Sequence, residues 1–507
     1  MTKWIRWSAV LLCVILLVSG IPCPLARAEE MPLAEDISGI DLVTGHNGFY
    51  KARELFDGKT VTAVYAGRNA SLTLEHAEGI GSLYLIFDIE YGPYTVTNND
   101  TGETGTWGER NLLHEFVDLE GAFGTAPKSV TVTFGEEELY INELYAFTPG
   151  QVPDFVQRWE QPRENATDLI LFSTHGDDEQ LFFAGVLPYY AKEMGYEVLV
   201  VYLTNHRNLT RERAHEMLNG LWAVGVTTYP VWGNFPDFHI KSITGAYSIF
   251  ANQGHTEEDL TRYVVENIRR FKPKVAVGHD PLGEYSHGQH MVYSDVLQKA
   301  VQRTMDPAYF PESAEAYGVW DVPKTYLHLY TENQIWMDWD QPLESFDGMT
   351  AFEVTKNIGF PCHASQFVDF AWYMSYVDTA AEVPNYGPCE YGLFRSTVGE
   401  DVAKNDFFEN VLTYEQDARK AQEEEQARQE AERLAQEEAQ RQQEEEALRQ
   451  QEEEQRKREE ADRIAAEEAA KQQEAFRKKM TLVVCIAGGA LVLLVLILVV
   501  VLFRKRR

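Results

Sequence analysis

The sequence predicts an α/β protein whose main domain is a parallel sheet with helices on both faces. An all-β sandwich precedes it, and a long charged helix and a single transmembrane helix follow. Three observations carry this. Between residues 168 and 278, short apolar segments alternate with helical ones. Before residue 148, apolar and polar residues alternate at period two. After residue 413 the composition collapses to charged and amide residues, then turns wholly apolar.

Residues 1–28 read as a secretory signal peptide. Lys3 and Arg6 open it, an apolar run from Trp7 to Val18 follows, and Ala26-Arg27-Ala28 supplies small residues at the cleavage spacing. Residues 30–148 form the expected sandwich. Leu83, Leu85 and Phe87 alternate with Tyr84, Ile86 and Asp88, while Lys128–Phe134 and Leu139–Phe147 are further strand-like runs. Thr148 to Pro153 reads as a linker. In residues 154–412, strands are expected over 168–173, 197–203, 229–232 and 274–278. Helices are expected over 211–224, 257–270 and 291–303, the second with Thr256 and Asp259 placed like a capping box. Such an alternation of buried strands and helices is Rossmann-like.

Residues 414–479 hold 21 acidic and 14 basic residues. Opposite charges three and four apart favour a helical stalk. Apolar residues at heptad positions are sparse, so a solvated single helix and a weakly dimerising coiled coil both stay open. Residues 480–503 carry no charge, long enough as a helix to cross a bilayer, and residues 504–507 form a basic tail. With the signal peptide, this places the protein in the cell membrane as a single-pass chain with its catalytic domain extracytoplasmic.

A net charge of -34 argues against nucleic acid as a partner. Of five cysteines, Cys362 and Cys389 fall in the ectodomain, where a disulfide and two free thiols are both compatible with the sequence.

Two clusters carry chemistry. Thr174-His175-Gly176-Asp177-Asp178-Glu179 stands where the first strand of the α/β domain meets a helix, the edge where open parallel sheets bind ligands. His175 and Asp178, three apart, can aim at one ion, leaving Asp177 to face the water beside it. After the 274–278 strand comes a run containing His279, Tyr285, His287 and His290. His290 with His175 and Asp178 gives three protein ligands and an open position, the pattern of a catalytic Zn2+ site, which lowers the pKa of its water to about 7. His215-Glu216 begins like a metalloprotease motif, but Asn219 stands where the second His belongs.

With these motifs, residues 166 to 370 resemble the LmbE-like/PIG-L family of zinc-dependent N-acetylglucosaminyl deacetylases. The family's His-Pro-Asp-Asp-Glu is His175-Gly176-Asp177-Asp178-Glu179 here, and its Gly-His-Pro-Asp-His is Ser286-His287-Gly288-Gln289-His290. Arg213, Glu216, Gly225 and Asp237 fall at the family's intermediate spacings, and Lys356, His363, Ser365 and Gln366 match its Lys…His-x-Ser-Gln. The resemblance implies His175, Asp178 and His290 as zinc ligands and Asp177 as general base. It implies that His287 stabilises the oxyanion or protonates the leaving amine, and that Tyr285 reaches the substrate carbonyl. Arg213 and Asp237 would contact sugar, with a surface ion pair as the alternative for Arg213. Gly176, Gly288 and Gln289 depart from the pattern. The implied activity is removal of the N-acetyl group from an N-acetylglucosamine-type sugar or glycan; the alternative is a degenerate cell-surface glycan-binding protein. Ala52 to Gly58 and Tyr140 to Leu144 also resemble discoidin-like, galactose-binding sandwiches, which implies a carbohydrate-binding module.

Overall fold

The computed structural model describes residues 32–205, 211–366, 374 and 376–505. The signal-peptide reading of residues 1–28 and the last two residues of the tail lie outside them. The chain up to Glu415 forms one compact unit and the chain from Gln416 another.

The N-terminal part of the first unit is β1 (Val43–Phe49), β2 (Val64–Glu75), β3 (Ser82–Phe87), β4 (Tyr94–Asn98), β5 (Thr104–Trp107), β6 (His114–Asp118), β7 (Ser129–Thr133) and β8 (Leu139–Phe147). They make one eight-stranded sheet in the order β5-β4-β7-β2-β8-β3-β6, with β1 added to β2. The 12-residue β2 pairs with β8 through Val64–Ala66 and with β7 through Ser71–Glu75. The sheet therefore folds over on itself: the rings of Phe87 on β3 and Tyr94 on β4, four strands apart in the order, lie 5.9 Å from each other. Leu83, Leu85, Val96, Val130, Val132 and Ile141 fill the enclosed core. Each such side chain contributes about 1.5–3 kcal/mol by leaving water.

Period-two alternation makes Tyr84 and Ile86 outward-facing, yet all of β3 is buried. The outer face is covered by the segment after β8, where Val156 joins the cluster of Tyr84, Ile86 and Phe147. Within residues 148–153, Val152 packs against that cluster and Gln151 exchanges backbone hydrogen bonds with Pro32 and Ala34. His114 closes the junction, its Nε2 2.8 Å from Nδ1 of His215 and its Nδ1 2.7 Å from the Tyr84 hydroxyl.

The α/β part contains β9 (Leu169–Ser173), β10 (Val198–Thr204), β11 (Val231–Phe235), β12 (Val275–Gly278), β13 (Lys324–His328), β14 (Gln334–Trp336) and β15 (Glu390–Ser396) in the order β11-β10-β9-β12-β13-β15-β14. The first five are parallel. β15 runs antiparallel to both β13 and β14, which corrects the expectation of a purely parallel sheet. The parallel reading rested on wholly apolar strands. β15 lacks that signature, because Phe394, Arg395 and Ser396 are half-buried at the rim, where antiparallel pairing needs less cover. The chain order reverses between β9 and β12, so the loops leaving their carboxyl ends face one crevice.

Helices Arg211–Ala223 and Glu257–Phe271 form as expected, the second with its Thr256/Asp259 capping box. The helix expected from Met291 begins at Gly288 instead, because His287 caps it by accepting from the Gln289 N–H. After β9, a single turn, Asp178–Leu181, is followed by Gly185 at φ 92, where a Cβ would lie 2.5 Å from the Trp339 ring. Cys362 and Cys389 are both free thiols.

The second unit belongs to a helix running from Tyr414 to Arg504 with no buried residue. Among the described residues it is the one helix long and apolar enough to cross a membrane. Glu445 and Arg449 pair at 2.8 Å as their spacing predicts, while Glu437 pairs with Arg433 at 2.7 Å rather than through its carboxylate with Arg441.

Candidate metal centre

The loop after β9 brings His175 and Asp178 together, and the first turn of helix Gly288–Val301 brings His290 to them. Nδ1 of His175 lies 3.1 Å from Oδ2 of Asp178 and 3.2 Å from Nε2 of His290, and that Nε2 lies 3.3 Å from the same carboxylate oxygen. Three donor atoms thus form a near-equilateral triangle. A tetrahedral zinc with bonds of 2.0–2.1 Å separates its ligand atoms by about 3.3 Å, so the triangle fits one face of such a site. His175, Asp178 and His290 are all buried. Burial alone would lift the Asp178 carboxyl, but the imidazoles of His290 and His175 hold it well below the usual range. Burial opposes charge on His290, yet Asp178 and Glu284 raise it to about 10. His175 with His287 and His290, and Asp178 with His279 and His290, form groups whose donor atoms lie close enough together to hold a metal ion.

Neighbouring hydrogen bonds fix which nitrogens face the centre. His175 Nε2 points to Gln289 Oε1 at 3.3 Å and Asp237 Oδ1 at 3.4 Å, both acceptors, which leaves the Nδ1 lone pair for the ion. His290 Nδ1 lies 2.7 Å from Glu284 Oε2, which frees Nε2. The buried Glu284 carboxylate also meets Nδ1 of His279 at 2.9 Å and Nδ1 of His328 at 2.7 Å. Burial would raise it, but these three imidazoles hold it well below the usual carboxylate range. His279 lies near enough to count as a further ligand. Its Nε2 is occupied, accepting the Thr174 N–H at 2.9 Å. His287 is also within reach, but its Nδ1 accepts the Gln289 N–H, so its proton sits on Nε2. Burial and the neighbouring rings of His175 and His290 keep its pKa far below normal, so the ring is neutral and presents one N–H.

Asp177 precedes Asp178 and is buried. Burial lifts its carboxyl to about 6 against the pull of Arg213. Arg213 Nη2 is 3.4 Å from Asp177 and its Nη1 3.5 Å from Asp237. Arg213 is buried, so it bridges two acids of the site instead of making a surface pair. Tyr285 and Ser286 occupy consecutive left-handed positions, φ 43 and φ 63, a strained arrangement that sets the Tyr285 ring beside His287 and His290, 5.3 and 5.5 Å between centroids. All eight residues read from the sequence as site residues therefore converge. Sequence reasoning placed His279 in the histidine run without a role, and missed Glu284, His328 and also His239, whose ring lies 4.8 Å from that of His287. The signal for Glu284 was an acid inside the histidine run. His363 and Ser365 stand behind the site, with His363 3.0 Å from Glu179 and Ser365 bonded to Glu216 at 2.7 and 2.6 Å.

This is an α/β protein whose crevice, at the strand-order reversal of a doubly wound sheet, contains a buried His-Asp cluster that could hold a metal ion. Residues 170–301 match the family model described as PIG-L: GlcNAc-PI de-N-acetylase, and the chain contains a domain of that family. It is 25% identical over 217 residues to 1D-myo-inositol 2-acetamido-2-deoxy-alpha-D-glucopyranoside deacetylase 1 of Catenulispora acidiphila, covering 38% of this chain and 66% of the relative. It is 42% identical over 69 residues to the corresponding deacetylase 2 of Saccharopolyspora erythraea, covering 14% of this chain and 24% of the relative. The chain thus spans about two thirds of the first relative and a quarter of the second. Among solved structures, N,N'-diacetylchitobiose deacetylase from Pyrococcus horikoshii aligns over 45% of this chain and 83% of its own, at 16% identity and a TM-score of 0.27.

Proposed function

We propose that this chain is a zinc-dependent hydrolase that removes the N-acetyl group from an N-acetylglucosamine-type sugar or glycan at the outer face of a membrane. The observation that carries it is the His175-Asp178-His290 triangle with the buried carboxylate Asp177 beside it. Names of the related deacetylases support the substrate class. Zinc held by the triangle supplies Lewis acidity and an acidified water.

The chain's own groups do the rest. Asp177 takes a proton from water as its oxygen bonds to the acetamide carbon. The neutral His287 donates its Nε2–H to the carbonyl oxygen as that oxygen gains negative charge. The C–N bond then breaks, and the proton held by Asp177 passes to the departing nitrogen, giving acetate and an amine. Arg213 holds Asp177 and Asp237 in place, and Asp237, part-exposed at the rim, meets sugar hydroxyls. Tyr285 orients the acetamide carbonyl.

The signal peptide, the apolar stretch 480–503 and the charged helix before it support an anchored, extracytoplasmic enzyme on a stalk, with weak homodimerisation through that stalk as its further property. The sandwich supports a carbohydrate-binding accessory role.

The test is acetate release from N-acetylglucosamine oligomers by full-length protein in detergent micelles. Chelation abolishes release and zinc restores it. Asp177→Asn lowers kcat by a factor of about 10²–10⁴ with metal content unchanged. Full activity in that variant removes the base assignment. A zinc-loaded wild type that releases no acetate but binds the oligomers favours the glycan-binding alternative.

A further inference from the structure

A cavity of about 510 Å³ opens at the junction of the N-terminal sheet and the α/β part, on the sandwich-facing side of helix Arg211–Ala223. Its chemistry is mixed. The rings of Tyr145, Phe155 and Trp222 line it, together with Asp154, Gln157 and Asn219. Phe155 is 48% exposed, a large apolar surface left open to solvent. The polar groups are fixed: the Trp222 indole N–H donates to the Asp154 carbonyl at 2.7 Å, and Gln157 Nε2 donates to Asn219 Oδ1 at 2.7 Å. Phe155 packs edge-on against Tyr145 with centroids 5.3 Å apart. Among the described residues no Lys or Arg lines the cavity, which disfavours phosphate, sulfate and carboxylate ligands. Fixed ring faces beside amides and one acid suit a pyranose, which offers C–H faces to rings and hydroxyls to amides.

The helix relates this cavity to the metal centre. Arg213 belongs to the centre, whereas Asn219 and Trp222 belong to the cavity. They are six and nine residues further on, roughly 9 and 14 Å along the axis. At about 100° per residue Trp222 also lies on the opposite face of the helix from Arg213, so the cavity is separate from the metal centre and a ligand that reached both would have to be an oligosaccharide.

We infer that the junction cavity is a second glycan site, taking a neutral or amine-bearing pyranose unit of an oligosaccharide. That the oligosaccharide's N-acetylated unit reaches the metal centre rests on the deacetylase reading; the cavity's own binding does not. Full-length protein in detergent micelles, stripped of metal so that nothing turns over, is titrated with the N-acetylglucosamine tetramer by calorimetry and tryptophan fluorescence. Wild type binds with a change in emission, and Phe155→Ala and Trp222→Ala each weaken binding at least tenfold. Phe155 is half-exposed, so its variant keeps the wild-type melting temperature. Unchanged affinity in folded Phe155→Ala, or no tetramer binding by wild type, overturns the inference. Binding lost in Phe155→Ala while metal-loaded wild type releases no acetate upholds the cavity and removes the deacetylase reading. Acetate release with unaltered affinity does the reverse.

Discussion

Glu284 shows what one buried carboxylate can organise. It takes three imidazole Nδ1 contacts between 2.7 and 2.9 Å, one of them from the ligand histidine. His328 also faces the Gly387 carbonyl through Nε2 at 3.0 Å, so both its nitrogens meet acceptors. A glutamine at 284 keeps the shape but loses the charge and offers an N–H to one imidazole N–H. Orienting groups of this kind change metal affinity by about 10–100-fold. Glu284→Gln is therefore expected to weaken zinc binding by that factor, read by competition with a chromophoric chelator, with activity recovering at high zinc. Unaltered affinity would mean that His290 is oriented by packing alone. Six of the eight site residues were legible as metal- or proton-handling types clustered after two strand ends, whereas Arg213, inside helix Arg211–Ala223, and Asp237 were legible through the family's spacing. Glu284 was not, since an acid among histidines looks the same in sequence whether it binds metal, caps a turn or holds rings.

At the scale of elements, the strands lining the crevice were legible because burial on both faces leaves a continuous apolar run, as in Leu169–Phe172 and Val198–Leu203. β13 to β15 carry no such mark, and Lys324 on β13 is a buried lysine paired with Asp401, which reads in sequence as surface. The junction between sheet and helix was equally invisible, because its contact is His114 against His215, far apart in the chain. Burial depresses both, His215 to about 4 and His114 well below its usual value. Between pH 6.5 and 4 these two rings bind protons in the unfolded chain that they refuse in the folded one, so the pair's contribution to stability falls as pH drops through that window and is flat above it. For His215 the loss amounts to about 3 kcal/mol at most. Melting temperatures at pH 7.5 and 4.5 measure it, and His215→Gln, which keeps a neutral hydrogen-bonding side chain, is expected to flatten the slope. An unchanged slope in that variant would place the acid sensitivity elsewhere.

At the scale of the whole molecule, the long helix changes character at one point without a break in its backbone. Up to Lys479 its surface is charged, and from Met480 to Phe503 it is uncharged and, Thr481 aside, apolar. In water, the twenty-two exposed apolar residues from Leu482 to Phe503 are costly, and no described residue of this helix is buried by the chain itself. A bilayer would remove that cost by covering the apolar stretch, whereas the charged stretch carries exposed pairs such as Arg433–Glu437 and Arg449–Glu445. Those pairs are exposed and each is worth no more than about 0.5 kcal/mol, so they shape the helix rather than secure it. The two regions should accordingly separate in experiment. Removing residues 480–507 is expected to release the protein from alkali-washed membranes into the soluble fraction, with acetate release per molecule on short oligomers kept within a factor of about two, since the ligand triangle lies entirely in the compact unit ending at Glu415. Replacing Leu493 and Leu494 with Arg tests the same point without shortening the chain, because charge at the centre of a span costs about 2.5–3.5 kcal/mol per residue. Retention of the truncated protein in the membrane fraction would show that something other than this helix holds it there.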